Sequence, residues 1–390
     1  MIKFFESDTL FQNVSSWADH ADEKLRVWWQ KQSQDVRTQL NRTPAQWSAL
    51  AKEQARVLDI DWVNLGKLKT SLDSSSFDAK VKAGGSMYRT YIKAARHWLG
   101  AEVFEVELEA GPIHYWVADK GHPETILFLH GFADSKDGAY ALAHHLIKDF
   151  NVIALDLPGF GDSFRHPELM YNSESYGKWL DEFINKSGIG AVHVVGNSLG
   201  GAMALKLALV RPDIVKSLSL LNTAAIIDFN HESIYDEILL GINLFQVRTL
   251  DQFEEFWAKV FHRQPFLPPF VKEFLFHQFR ENHDWYGQLV DQTFGGHTDK
   301  SDPEYFRLFM NEHLHKVNAP SLIIWGDRDK LFPVAYGRKG HALLKNSSFV
   351  LLNDVGHAPQ VEAPQLVAKH MKTFIRNLPL QDTKAEPSSL

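Results

Sequence analysis

The 390-residue chain contains no cysteine. That excludes thiolate nucleophiles, iron–sulfur clusters and Cys-ligated zinc, and it leaves the redox compartment open. The chain also lacks a basic excess. Its 41 Lys and Arg against 48 Asp and Glu give a net charge of −7, the wrong sign for a nucleic-acid footprint. Long hydrophobic runs are missing too. Ile238 to Phe245 falls far short of the roughly 20 apolar residues that span a bilayer. The N-terminus, Met1-Ile2-Lys3-Phe4-Phe5-Glu6-Ser7-Asp8, has no apolar stretch of the roughly 7–15 residues that a signal peptide needs. These absences predict a soluble, cytoplasmic protein. With 44% hydrophobic and 23% charged residues, the composition is that of a globular chain and excludes wholesale disorder.

What is present changes texture along the chain. Residues 1–100 read as a helical extension. Phe11, Val14, Ala18, Ala21, Leu25 and Trp28 recur at spacings of three and four, one apolar stripe on a helix. Thr43-Pro44-Ala45-Gln46 combines a hydroxyl cap, Pro at the first position and a capping-box Gln. Leu72 to Asp78 reads as a loop, Ala83-Gly84-Gly85-Ser86 as a break, and Met87 to Leu99 as a further helix. The stripe can pack on its own domain, pair with a second chain or rest on a membrane surface as a peripheral contact. The oligomeric state is left open.

After Gly100, short apolar strands alternate with helix-length segments. Val103 to Leu108 and Ile113 to Val117 flank Gly111-Pro112 as a hairpin. Thr125 to Leu129, Asn151 to Leu155, Ala191 to Val195 and Ser217 to Leu221 follow. Fully apolar strands in such alternation imply a parallel sheet covered on both faces. Residues 223–316 interrupt this pattern with helical periodicity only. Ser321 to Trp325, Phe349 to Leu352 and a helix from Pro364 to Arg376 then resume it, before a polar tail expected to be disordered. The expected organisation is a helical extension (1–100), a sheet core (101–222 and 317–377), an inserted helical cap (223–316) and a tail (378–390).

Gly196-Asn197-Ser198-Leu199-Gly200 carries the strongest chemical signal. It follows a strand and opens a helix from Ala202 to Val210, the strand–turn–helix setting in which a G-x-S-x-G serine projects from a tight turn. A serine needs a base. Of 19 histidines, His357 in Asp354-Val355-Gly356-His357-Ala358-Pro359 directly follows the last strand. His144-His145 and His313-x-His315 suggest a metal site, but helical neighbours at those spacings point apart, so they read as solvated or packed. The base needs an orienting acid. Gly326-Asp327-Arg328-Asp329 offers two, and Asp329, deeper in the turn, is the expected one, with Asp327 capping the turn. Oxyanion donors are expected from the backbone N–H groups of Leu199 and of Phe132, in His130-Gly131-Phe132-Ala133-Asp134. His130 reads as a brace for that loop.

His130-Gly131-Phe132, Asp156-Leu157-Pro158-Gly159-Phe160-Gly161-Asp162-Ser163, the serine elbow, Gly326-x-x-Asp329 and Gly356-His357 occur in an order that resembles the α/β-hydrolase superfamily, from about residue 101 to 377. Within it, His130-Gly131-Phe132-x-x-x-Lys136-Asp137, Ile324-Trp325-Gly326 and a Phe-rich insertion are similar to monoacylglycerol lipases and bacterial lipases and esterases. The resemblance implies an α/β-hydrolase fold, a mostly parallel sheet with helices on both faces. It also implies a Ser198–His357–Asp329 triad acting through an acyl-enzyme, with no metal or organic cofactor. Serine at the nucleophile position excludes the aspartate-based dehalogenases and epoxide hydrolases of this fold. The insertion holds 13 of the 27 phenylalanines. About half are expected in its own core and the rest over Ser198, which points to a small-molecule ester with an apolar acyl group. The alternative, a C–C hydrolase of ring-cleavage diketo acids, needs a cation for the substrate carboxylate, for which Arg248, Arg263 and Arg280 are candidates.

Overall fold

A computed structural model describes residues 77–265, 267–293 and 309–378. The Phe11–Trp28 stripe, the helix start at Thr43, the tail from Gln381, and Phe266, Phe294 and Phe306 lie outside them. The chain divides into two compact units, residues 1–94 with 266–277 and residues 95–265 with 278–390.

In the first unit, helix α1 (Phe77–Leu99) begins inside the predicted loop and runs straight through Ala83–Ser86, where the sequence predicted a break. The two glycines serve packing. A Cβ on Gly84 would lie 2.0 Å from the Phe270 carbonyl oxygen, and one on Gly85 would lie 2.8 Å from the Phe274 ring. Two glycines cost a helix about 0.5–1 kcal/mol each, and here close backbone approach offsets that. Lys80 and Glu273, 3.7 Å apart, and the Tyr88–Phe274 ring contact complete the contact.

The second unit is an eight-stranded sheet. Its strands are β1 (Glu102–Leu108), β2 (Gly111–Ala118), β3 (Thr125–Leu129), β4 (Asn151–Leu155), β5 (Val192–Asn197), β6 (Val215–Leu221), β7 (Ser321–Gly326) and β8 (Ser347–Leu352). Their order is β1-β2-β4-β3-β5-β6-β7-β8. The β1–β2 hairpin is antiparallel, with Leu108 opposite Gly111, and β2 pairs antiparallel with β4. All later pairings are parallel. The central strands β5 and β7 are buried throughout, which is why they read as unbroken apolar runs rather than alternating ones.

Helices α2 (Tyr140–Leu146), α3 (Ser173–Ser187), α4 (Leu199–Val210), α9 (Val334–Leu343), α10 (Pro359–Glu362) and α11 (Pro364–Arg376) lie in the connections and after β8. α11 buries Val367, Ala368, Met371 and Ile375 on one stripe. Between β6 and β7 the described residues contain no strand. Helices α5 (Ile234–Leu239), α6 (Leu250–Val260), α7 (Pro269–Glu281) and α8 (His283–Thr293) occupy this insertion. α5 and α6 each open on a complete capping box, Ser233 with Asp236 and Thr249 with Gln252. No described helix is long and apolar enough to cross a membrane. His144 and His145 do not point apart as expected. Their rings meet edge to face at 4.9 Å, and His144 stacks on Trp98 at 4.3 Å. Burial holds the His144 imidazole down at about 4, which keeps this packed ring neutral.

The loops after β3 and β4 are locked together by a buried ion pair. Lys136 is 1% exposed, and its Nζ lies 2.6 Å from Asp156 Oδ2 and 2.6 Å from Asp162 Oδ2. Its backbone N–H also donates to Asp156 Oδ1. Removing one member of a buried pair strands the other's charge. Lys136→Ala is therefore expected to cost about 3–5 kcal/mol in urea unfolding at neutral pH, and a loss below about 1 kcal/mol, the range of an exposed pair, would contradict this account.

Candidate active site

The carboxyl ends of β3, β5, β7 and β8 converge where the strand order reverses, between β3 and β5, the position at which open α/β sheets bind ligands. β5 delivers Ser198 with φ 52° and ψ −117°, a conformation that costs a non-glycine residue about 1–3 kcal/mol. Backbone bonds hold it there. The Ser198 N–H donates to the Leu221 oxygen, and its own oxygen accepts from Gly201, Ala202 and Ala224. The turn closes because a Cβ on Gly196 would lie 2.2 Å from the Gly200 oxygen, and one on Gly200 would lie 2.1 Å from the Leu129 oxygen. Ser198 keeps partial exposure between buried neighbours.

β7 and β8 deliver the acid and the imidazole. His357 Nδ1 lies 2.9 Å from Asp329 Oδ2, with side chains 6% and 0% exposed. The carboxylate can only accept, so Nδ1 carries the proton and Nε2 of the neutral ring is left as an acceptor. Asp329 takes four donors in all. Asn222 Nδ2 and His357 Nδ1 address Oδ2, and the Leu331 and Phe332 amides address Oδ1. This satisfies a charge that would otherwise be costly to bury. Turn capping thus falls to Asp329 itself and not to Asp327, as the sequence suggested. Asp327 Oδ1 has no hydrogen-bond partner, and Oδ2 faces Arg328 at 3.8 Å.

The loop after β3 runs beside the elbow, since a Cβ on Gly131 would sit 3.4 Å from Ser198 Cβ. That places the residue next to Phe132 against the serine. Leu199 is the first residue of α4, and a helix's first N–H has no partner within the helix. His130 is fully buried, and its ring spans the two loops. Nε2 accepts from the Leu157 N–H at 2.9 Å, so Nδ1 holds the proton and donates to the Gly131 oxygen at 2.7 Å. The bracing reading fits this geometry. Further along the loop, burial pushes the Asp134 carboxyl up to about 7, against the opposing hydrogen bond from Ser135 N–H.

The Phe132 ring sits within 4.3 Å of Phe245, 5.0 Å of Phe160 and 5.6 Å of Tyr286. Phe256, Phe279 and Phe253 extend this aromatic cluster through the insertion. Phe253, Phe256 and Trp257 share a helical face of α6. Phe274 instead packs on Gly85 and Tyr88 in the first unit. Of the candidate cations, Arg248 donates to His283 Nε2 and Arg263 faces Asp354. All three arginines are exposed.

Two residues that sequence reasoning missed hold these pieces in register. Asn222, with φ 43°, donates to Asp329 and accepts from the Gly326 N–H. Asn197 donates to the His357 oxygen and accepts from Gln360. Asn197 ends β5 and Asn222 directly follows β6, and that position at the carboxyl end of an apolar strand was the available signal.

The sequence profile of the alpha/beta hydrolase fold matches residues 124–364. The chain belongs to that family. Lipase 1 of Psychrobacter immobilis is 27% identical over 252 residues, 64% of this chain and 76% of that protein. Monoacylglycerol lipase abhd6-A of Xenopus laevis is 25% identical over 268 residues, 66% of this chain and 77% of that protein. Among solved structures, a membrane phospholipase A described as a bacterial virulence factor superposes with a TM-score of 0.70 at 28% identity, covering 76% of this chain and 93% of that one. The family and these relatives make the protein a hydrolase.

His130 generates a testable pH dependence. Burial lowers its pKa in the folded state, so unfolding releases a ring that binds protons near the ordinary value of about 6.5. Its contribution to stability is present above that value and is lost as pH falls below it. Urea midpoints compared at about pH 7.5 and about pH 5.5 should fall more for the wild type than for His130→Asn. Equal losses would contradict a neutral, buried His130.

Proposed function

We propose that the protein is a serine hydrolase of carboxylic esters with apolar acyl groups. Ser198 attacks the ester carbonyl. His357 Nε2 takes its proton and returns it to the leaving alcohol, while Asp329 fixes the Nδ1–H tautomer and stabilises the imidazolium. The amides of Leu199 and Phe132 stabilise the tetrahedral oxyanion. Water, deprotonated by the same imidazole, releases the acyl group from Ser198. The observation that carries this reading is the 2.9 Å contact between His357 Nδ1 and Asp329 Oδ2, buried at the same sheet edge as a serine on a strained turn. The inserted helices act as a cap whose aromatic cluster receives the acyl chain, and this favours apolar over charged or sugar acyl groups. The exposed and engaged positions of Arg248, Arg263 and Arg280 argue against the diketo-acid alternative.

Ser198→Ala should lower p-nitrophenyl ester turnover by at least about 1,000-fold with the unfolding midpoint preserved. Retained turnover would sink the nucleophile assignment. With the wild type, kcat/KM should rise from acetate to longer acyl chains, and a diketo acid run in parallel should be a poor substrate. A profile that falls steadily with chain length would contradict an apolar acyl site.

A further inference from the structure

The loop carrying His357 is fastened to the inserted helices as well as to the sheet. The His357 N–H donates to the oxygen of Val260, the last residue of α6, at 2.9 Å. Lys330, next to Asp329, donates to the Ala258 oxygen at 3.2 Å. One side chain bridges the same seam. Glu362 ends the short helix α10 that begins two residues after His357. Its Oε1 accepts from the Gly356 N–H at 3.0 Å, and its Oε2 accepts from the Arg263 N–H at 2.7 Å. One carboxylate thus joins the amide just before His357 to an amide just past α6.

The packing leaves little play. A Cβ on Gly356 would lie 2.6 Å from the His262 nitrogen, 2.7 Å from Glu362 Oε1 and 2.9 Å from the Val260 oxygen, so the two backbones touch where the carboxylate bridges them. Burial raises the Glu362 pKa, and the backbone donors around it oppose that rise. Cationic side chains do not replace those amides, because Arg263 turns its guanidinium outward to Asp354 at 3.4 Å.

We propose that Glu362 is a positioning residue for the hydrolytic reaction, its carboxylate fixing the His357 loop to the Arg263 amide of the insertion. This rests on the reading of His357 as the base. The consequence is mechanical. A displacement of the segment after α6 is transmitted to the backbone of His357, so the imidazole is correctly placed only when the insertion is seated.

Substitution at Glu362 separates positioning from stability. Glu362→Gln preserves the shape but turns one acceptor into an NH2 that faces amide donors. It should lower kcat about 10- to 100-fold, the scale of a small misplacement of a catalytic group, with KM for a short-chain p-nitrophenyl ester nearly unchanged. The limb of the pH–rate profile that reports the base should also move. Rates are taken per active site, titrated to completion with a fluorophosphonate. Glu362→Asp, which keeps the charge but shortens its reach, should fall between the two, and it carries the test if the Gln variant does not fold. Wild-type kcat per titrated site with an unmoved pH limb overturns the proposal, even if the unfolding midpoint drops. His357→Ala run alongside keeps the two readings apart. Activity retained there removes His357 as the base, whereas activity lost there with Glu362→Gln unaffected removes only the positioning role.

Discussion

The constraint on which the site depends is the turn at Ser198. A serine with φ 52° does not hold that conformation by its own preference, so its neighbours must impose it. β5 is buried on both faces and fixes the direction of entry, while α4 starts on the very next residue and fixes the exit. Between them the serine oxygen accepts three amides, and glycines on either side remove the atoms that would force the turn open. The order of the strands follows from the same need. Only at the reversal between β3 and β5 can the loop after β3 lie beside the turn, as Gly131 does.

The polar groups around that turn form one connected set rather than separate contacts. Asn197 ties the strand below Ser198 to the His357 backbone. Asn222 ties the end of β6 to Asp329 and to Gly326. His130 ties the loop after β3 to that after β4 through Leu157, and Lys136 ties the same two loops through Asp156. Each of these side chains is buried and has partners at both ends, so none can relax without leaving a donor, an acceptor or a charge unsatisfied. Rigidity of this kind is what an oxyanion site requires, since its donors stabilise a developing charge without reorganising.

Much of this was legible in the sequence because backbone chemistry leaves local marks. A strand buried on two faces must be apolar throughout, and the bounds of β3 and β4 follow from composition alone. A serine on a strained turn needs glycines beside it, and an acid and a histidine at strand ends need short loops that can aim them. The partners that act over long distances left no such mark. Asn222 lies 107 residues from the aspartate it contacts, and Arg263 lies 99 from the glutamate that binds its amide; no spacing rule connects them. The Gly84-Gly85 pair misled for the converse reason. Glycine signals both chain reversal and close approach, and only the neighbouring Phe270 and Phe274 reveal which applies. His144 and His145 misled because ideal helix geometry ignores Trp98, on which the first ring stacks.

On the proposed reading, the insertion connects selectivity to chemistry through two different materials. Its aromatic side chains meet the Phe132 ring, whose own amide is the proposed oxyanion donor, so apolar contacts on one side of that residue bear on polar geometry on the other. Its backbone meets the His357 loop through Val260 and through the Glu362 carboxylate. Dispersion contacts between rings tolerate repacking at modest cost, whereas a half-buried carboxylate held by amides from two segments does not tolerate the loss of its partners. The aromatic side can therefore vary with the acyl group while the hydrogen-bonded side stays constant. On this division, differences in substrate among relatives of the same fold should reside in the rings of α6 to α8, and the geometry that makes any ester reactive should reside in the amides around Glu362 and Asp329.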